Sequence, residues 1–267
     1  MDLVVPYLFH GVFMADYPSS ESDQPPEAAS HCLSRTRRRQ QRALPAFTSL
    51  VRQPLLTKSF TLPAGRGHVV GELGLPPQAT GLVVIGYGLG TSRLSWRSHY
   101  LNRLLQQADL GTFSLDLLTP VEERQQHGAS PPLDLLAERL IQGAKWTQQQ
   151  PGLLGLRLGL MGEYAIGSAA LMACPKLGNL VGGVVWMEGQ AENQPPSQPA
   201  PTLLLVHDQE MASVEANQQV QRTLGTESQI RAVGQTSPWL GEPSLLAQVG
   251  QQAAQWFNKY LARPRSR

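Results

Sequence analysis

The stretch Leu158-Gly-Leu-Met-Gly162-Glu-Tyr164-Ala-Ile166-Gly-Ser168 combines reactive side chains with a backbone pattern suited to chemistry. An apolar run with the character of a buried strand reaches Gly162, and small residues predict a helix from near Gly167. The pattern G-x-S-x-G sets a nucleophilic serine on a sharp strand-to-helix turn of this kind. Here Gly162 supplies the first glycine, but Tyr164 occupies the nucleophile position and Ile166 that of the second glycine. A phenol ionises at about 10, so it is a weak nucleophile at neutral pH. Its bulk suits a strained turn poorly, and the turn calls for small neighbours where Ile166 is branched. Ser168 offers a nearby hydroxyl, but it falls inside the helix, where packing or capping is its ordinary role and that of displaced nucleophile the lesser one.

The bulk properties narrow the setting. A chain of 267 residues, 41% hydrophobic and 16% charged, can bury one sizeable α/β core, with no room for a second full domain. A net charge of +2 gives no strong steering toward nucleic acid or anionic membranes. Cys32 and Cys174 lie far apart, which fits a reduced compartment and ordinary packing better than a disulfide frame. No metal or cofactor is expected. No run is long and apolar enough to span a bilayer. The apolar opening from Met1 lacks the basic start and cleavage site of a signal peptide. A cytoplasmic protein without membrane contact is the expectation.

Positioning the turn requires a sheet, and the chain predicts one. Residues 1–55 read as a poorly ordered arm and 56–267 as one domain. Residues 19–30 are polar, acidic and proline-bearing. The basic cluster Ser34-Arg-Thr-Arg-Arg-Arg-Gln-Gln-Arg42 reads as a solvated tail rather than a nucleic-acid or acidic-partner contact, because no groove-shaped or aromatic motif accompanies it. Residues 59–63 and 68–75 form β-like runs joined by Ala64-Gly-Arg-Gly67, a hairpin in which His68 has a strand-end role. Leu82-Val-Val-Ile85 reads as a strand covered on both faces. Helical spacing follows at Tyr100, Leu101, Leu104, Leu105 and Ala108, and again at Leu133, Leu136, Leu140, Ile141 and Ala144. Strands are predicted at 111–116, 156–161, 180–186, 201–206 and 229–233. A loop is expected at 117–120, a helix near 214–224, and an amphipathic helix closes the chain from Leu245 to Tyr260. Such alternation predicts an α/β fold: a mostly parallel central sheet sandwiched by helices, with an N-terminal β-hairpin.

With these elements in order, residues 59–261 resemble the α/β-hydrolase superfamily, in its dienelactone-hydrolase-like branch. Gly81-Leu-Val-Val-Ile-Gly-Tyr-Gly-Leu-Gly-Thr-Ser-Arg93 is similar to that branch's strand and oxyanion loop. Leu115-Asp-Leu-Leu-Thr-Pro-Val-Glu-Glu123 resembles the next strand and loop, and Pro201-Thr-Leu-Leu-Leu-Val206 the strand before the acidic triad residue.

The resemblance assigns positions, and several carry the wrong chemistry. Acyl transfer needs a nucleophile, a base, an acid to orient the base, and donors for the oxyanion. The nucleophile position falls on Tyr164. The acid position falls in His207-Asp-Gln-Glu210, best on Glu210 with Asp208 as the alternative. The base position falls on Ser237, and no histidine follows His207. A serine hydroxyl is no base near neutral pH, so the standard relay is not assembled. The oxyanion donors map to the backbone N–H groups of Leu89 and Ala165. Tyr87 stands where the family has histidine. Arg93 and Arg97, with Asp116, either brace the loop or hold an anionic ligand group, bracing being preferred. Trp96, Trp186 and Trp239 pack in the core or line a pocket. The resemblance then implies a catalytically degenerate hydrolase fold that binds a small-molecule or protein ligand at the former active-site mouth. The alternatives are an ester, thioester or lactone hydrolase with a relocated base such as His207, and a binder acting through the basic arm.

Overall fold

A computed structural model of the chain describes residues 56–262, apart from 66, 89, 127–130, 190–199, 208–210, 225–226 and 235–242. The arm at 1–55 and its basic cluster lie outside the described residues.

The chain opens with β1 (Leu56–Ala64) and β2 (Gly67–Leu75), an antiparallel hairpin paired along its whole length. Then follow β3 (Gly81–Tyr87), α1 (Trp96–Gln107), β4 (Leu110–Asp116), α2 (Pro120–Gln125) and α3 (Leu133–Thr147). The second half runs β5 (Leu158–Glu163), α4 (Tyr164–Leu177), β6 (Val181–Met187), β7 (Thr202–His207), α5 (Met211–Thr223), β8 (Ser228–Val233) and α6 (Pro243–Leu261). The eight strands form one sheet in the order β1-β2-β4-β3-β5-β6-β7-β8. The hairpin joins it through an antiparallel β2–β4 pairing, and every pairing from β4 through β3 to β8 is parallel.

Helices cover both faces, which is why β3 and β6 are buried at every position rather than at alternate ones. On one face Leu136 and Leu140 of α3, Ala169 of α4 and Val220 of α5 pack with Val84, Phe113 and Leu160. On the other, Leu101 and Leu105 of α1 and Val249 and Phe257 of α6 pack with Ile85, Met161 and Leu203. The connection after β3 leads to β4 on one side, and the chain later returns to place β5 on the other. The carboxyl ends of β3 and β5 therefore flank the crevice where the order of strands reverses, the usual ligand position in open α/β sheets.

Two elements differ from the sequence expectation. The helix after β5 begins at Tyr164, not near Gly167, so the nucleophile position is itself the first helical residue. The 117–120 loop continues into α2, capped by a reciprocal pair. Thr119 Oγ1 accepts from the Glu122 N–H at 3.2 Å, and Glu122 Oε2 accepts from the Thr119 N–H at 2.7 Å. The signal was the spacing Thr-x-x-Glu with proline at the first helical position. Arg139 on α3 donates to the other Glu122 oxygen at 3.1 Å, fastening this corner to α3. No described helix is long and apolar enough to cross a membrane.

Thr119→Ala removes one arm of that box. It is expected to cost about 1 kcal/mol, read as a lower urea midpoint with an unchanged slope.

Candidate functional site at the strand–helix elbow

Glu163 ends β5 in extended backbone, with φ −101° and ψ 151°, and the next residue, Tyr164, swings to φ +44°. Positive φ in a bulky residue is strained and needs support from its surroundings. The turn pushes the Tyr164 side chain outward, leaving it 42% exposed at the carboxyl end of the sheet. The bulk expected to oppose this turn is thus directed away from it. Trp186, fully buried on neighbouring β6, donates its indole N–H to the Tyr164 carbonyl at 2.8 Å. The branched Ile166 also fits, because glycines make room for it. A Cβ on Gly86 or Gly162 would come within 2.6 or 2.5 Å of Ile166 Cγ2. Ser168, one turn into α4, is fully buried, with Oγ lacking a hydrogen-bond partner. Ala165, the second helical residue, has an N–H that the helix itself cannot use.

The loop after β3 faces this elbow. Gly88 and Thr91 close a tight turn, the Thr91 hydroxyl donating to the Gly88 carbonyl at 2.7 Å. Ser95 caps α1 by accepting from the Ser98 N–H at 3.1 Å, and the Ser98 hydroxyl ties back to the Ser92 carbonyl at 2.6 Å. Arg93 braces the loop, donating from Nε to Asp116 Oδ2 at 2.8 Å and lying 3.8 Å from Glu72. Arg97 does not join this brace. It is exposed in the first turn of α1, over the Trp96 ring at 5.9 Å, and makes no ion pair within 4 Å among the described residues. Trp96 is 52% exposed, so of the tryptophans described here only Trp186 is a core residue at this site.

A row of ionisable groups runs beneath the loop. Asp116 pairs with Tyr87 in register, and alternation puts Asp116, Tyr87, Glu163 and Met187 on the α1-facing side of adjacent strand ends. Burial raises the Asp116 carboxyl above its ordinary range despite the Arg93 guanidinium. Burial raises the Tyr87 phenol, with the charges of Glu163 and Asp116 adding to the rise against the effect of nearby Ser98 and Ser114. Glu163 is pushed up to about 7, first by burial, then by Glu188, against the opposing pull of Arg97. Its Oε2 is sealed from solvent with no hydrogen-bond partner. Glu188 follows β6 with φ +51° and is 6% exposed. A cavity of about 140 Å³ lies on the hairpin side of the loop, lined by His68, Tyr87, Thr91, Ser92, Asp116 and Glu123 among others; Tyr164 is not part of its lining.

The structure therefore sets Tyr164 and Ala165 where β5 turns into α4, the Arg93–Asp116 pair between the loop after β3 and the end of β4, and Arg97 in the first turn of α1. Leu89, Asp208, Glu210, Ser237 and Trp239, and the side chain of His207, lie outside the described residues. Sequence reasoning passed over Glu163 and Glu188. The available signal was a carboxylate at the carboxyl end of an otherwise apolar strand, in Gly162-Glu163 and Met187-Glu188.

The raised acidity of Glu163 is also a statement about stability. The native state holds this proton more tightly than the unfolded chain, so stability falls as pH rises from 4.5 to about 7 and the loss persists above. Glu163→Gln is accordingly expected to be the more stable protein above pH 7, by up to about 3 kcal/mol. The advantage should vanish below pH 4.5. Urea unfolding of both proteins across pH 4–8 checks this.

Known proteins share this fold. A solved dienelactone hydrolase from Anabaena variabilis is 31% identical, with a TM-score of 0.71 over 78% of this chain and 99% of that one. The esterase domain of a Rhodothermus marinus protein matches in fold at 15% identity and a TM-score of 0.61, over 78% of this chain and all of that one. A Mycobacterium tuberculosis protein provisionally named a phosphoribosyl transferase is 34% identical over 214 residues, 79% of this chain but 48% of its own length. The chain thus spans about half the length of the curated relatives it matches. No family model matches it. Near-complete coverage of the Anabaena enzyme, together with the elbow and the strand order, places the chain in the dienelactone-hydrolase-like branch of the α/β-hydrolase superfamily.

Proposed function

We propose that the chain is a catalytically degenerate member of this branch, acting by binding a small-molecule or protein ligand at the former active-site mouth. The observation that carries the reading is the elbow itself. It keeps its strained backbone at φ +44° but presents a phenol, and Ser168, the next hydroxyl along α4, is sealed in the core. What remains at the mouth suits recognition: an exposed guanidinium, exposed aromatic surface on Trp96 and Tyr164, and backbone donors that no side-chain replacement removes.

Purified protein is expected to show no saturable hydrolysis of activated aryl esters and no labelling by a serine-directed fluorophosphonate. Saturable turnover that disappears in Tyr164→Phe or Ser168→Ala would overturn the reading. The second reading, a working ester, thioester or lactone hydrolase with a relocated base, draws on the 31% identity to a dienelactone hydrolase and gains from that same outcome.

The reading leaves phosphoribosyl transfer to the half of the M. tuberculosis relatives that the match does not reach. The purified chain should release no pyrophosphate from phosphoribosyl pyrophosphate in the presence of purine or pyrimidine bases. Release above the buffer rate would put that activity here instead.

A further inference from the structure

The cavity beside the hairpin has no part in the mouth described above, since Tyr164 is not among its lining residues. The carboxyl ends of β3 and β4 and the start of β2 form it, and alternation turns His68 and Val70 to the same face as Glu72. The 88–92 turn and the first turn of α2 complete it. Among the described residues that line it, Asp116 and Glu123 are carboxylates, and none is lysine or arginine.

The guanidiniums near this corner are already engaged. Arg93 lies 2.8 Å from Asp116 and 3.8 Å from Glu72, and Arg139 lies 3.1 Å from Glu122. Asp116, Glu72 and Glu123 therefore set three carboxylates against the one guanidinium of Arg93. Burial holds the Asp116 carboxyl above its ordinary range even with Arg93 beside it, so its charge is under-compensated. Donors are scarce as well. The Thr91 hydroxyl spends its proton on the Gly88 carbonyl at 2.7 Å, and Ser92 Oγ accepts from the Leu94 N–H at 3.2 Å. An entering anion would meet like charge, whereas a cation with N–H donors would meet acceptors.

We propose that this cavity binds a small organic ammonium, its charged head on the Asp116 and Glu123 carboxylates and its alkyl body against Val70 and Leu118. A volume of about 140 Å³ suits an amine of a few carbons, being well under the ~300 Å³ and more of drug-sized sites. The described residues form no cluster of three or more metal-ligating side chains, and a divalent cation calls for more oxygen ligands than two carboxylates supply. No bond is made or broken on binding. The inference goes beyond the reading of the Tyr164 mouth and does not rest on it.

The test titrates the full chain at pH 8 with n-butylammonium, n-butanol and butyrate, followed by amide NMR. The three probes share one chain length and differ in charge. Butylammonium should shift the Val70, Gly88 and Thr91 amides saturably and bind about tenfold more tightly than butanol. Butyrate should leave those amides unmoved. Asp116→Asn should weaken butylammonium binding about tenfold. That change also loosens Arg93, so Glu123→Gln, which leaves the brace intact, is the second variant and should weaken binding about threefold. Val70→Phe, which fills the cavity with a ring, should abolish it.

Butanol binding as tightly as butylammonium, butyrate binding more tightly, or full butylammonium affinity in Glu123→Gln and Val70→Phe would overturn the inference. Absence of any saturable shift would also overturn it, and would leave the mouth reading as it stands. Shifts confined to the Tyr164 and Ala165 amides would overturn it in favour of a cation at the mouth.

Discussion

The Tyr164 carbonyl accepts a hydrogen bond from the Trp186 indole at 2.8 Å, and the site depends on what that contact holds in place. A non-glycine residue at φ +44° stores strain on the order of 1–3 kcal/mol, which persists only where the surroundings over-determine it. Trp186 reads the backbone of Tyr164 from a neighbouring strand, so the contact is indifferent to the side chain at the elbow. Gly167 lets the indole reach that carbonyl, since any Cβ there would overlap the Trp186 ring. Ile166 fills the space above Gly86 and Gly162 from the opposite side. The turn is thus clamped by groups other than the side chain at its apex, which is how it accommodates a tyrosine there.

The same clamp accounts for what was legible beforehand. The parallel sheet, the hairpin and the order of helices were readable because burial on two faces forces continuous apolar runs such as Leu82-Val-Val-Ile85, and a helix forces its own spacing. The elbow was readable as a location, since Gly162 and the small residues after it mark the turn. Its tolerance for Tyr164 and Ile166 was not, because it arises from glycines and a tryptophan on β3, β5, α4 and β6 that meet only in three dimensions. Likewise, the spacing of Arg93 and Arg97 gave two equivalent cations. Only the placement of Asp116 and Glu72 against the first, and of Glu163 opposite the second, separates a brace from an open group. Glu163 itself looked like an ordinary residue between two motif positions. Its character comes from the face of β5 on which alternation places it.

Desolvation decides the electrostatics of this region more than pairing does. Asp116 has a guanidinium nitrogen at 2.8 Å and still holds its proton more tightly than a free carboxyl, because the cost of burying its charge exceeds what Arg93 returns. Glu163 follows the same rule further, with Arg97 pulling its acidity down less than burial and Glu188 push it up. The negative charge that Glu163 would place at this end of the sheet is therefore partly suppressed near neutral pH. The N–H of Ala165 at the amino end of α4 is likewise fixed by the fold rather than by any side chain. Catalytic groups are lost one substitution at a time, whereas a field set by burial, a helix amino end and strand termini changes only if the scaffold does. The binding role proposed above would draw on that part of the site, which does not depend on the side chain at Tyr164.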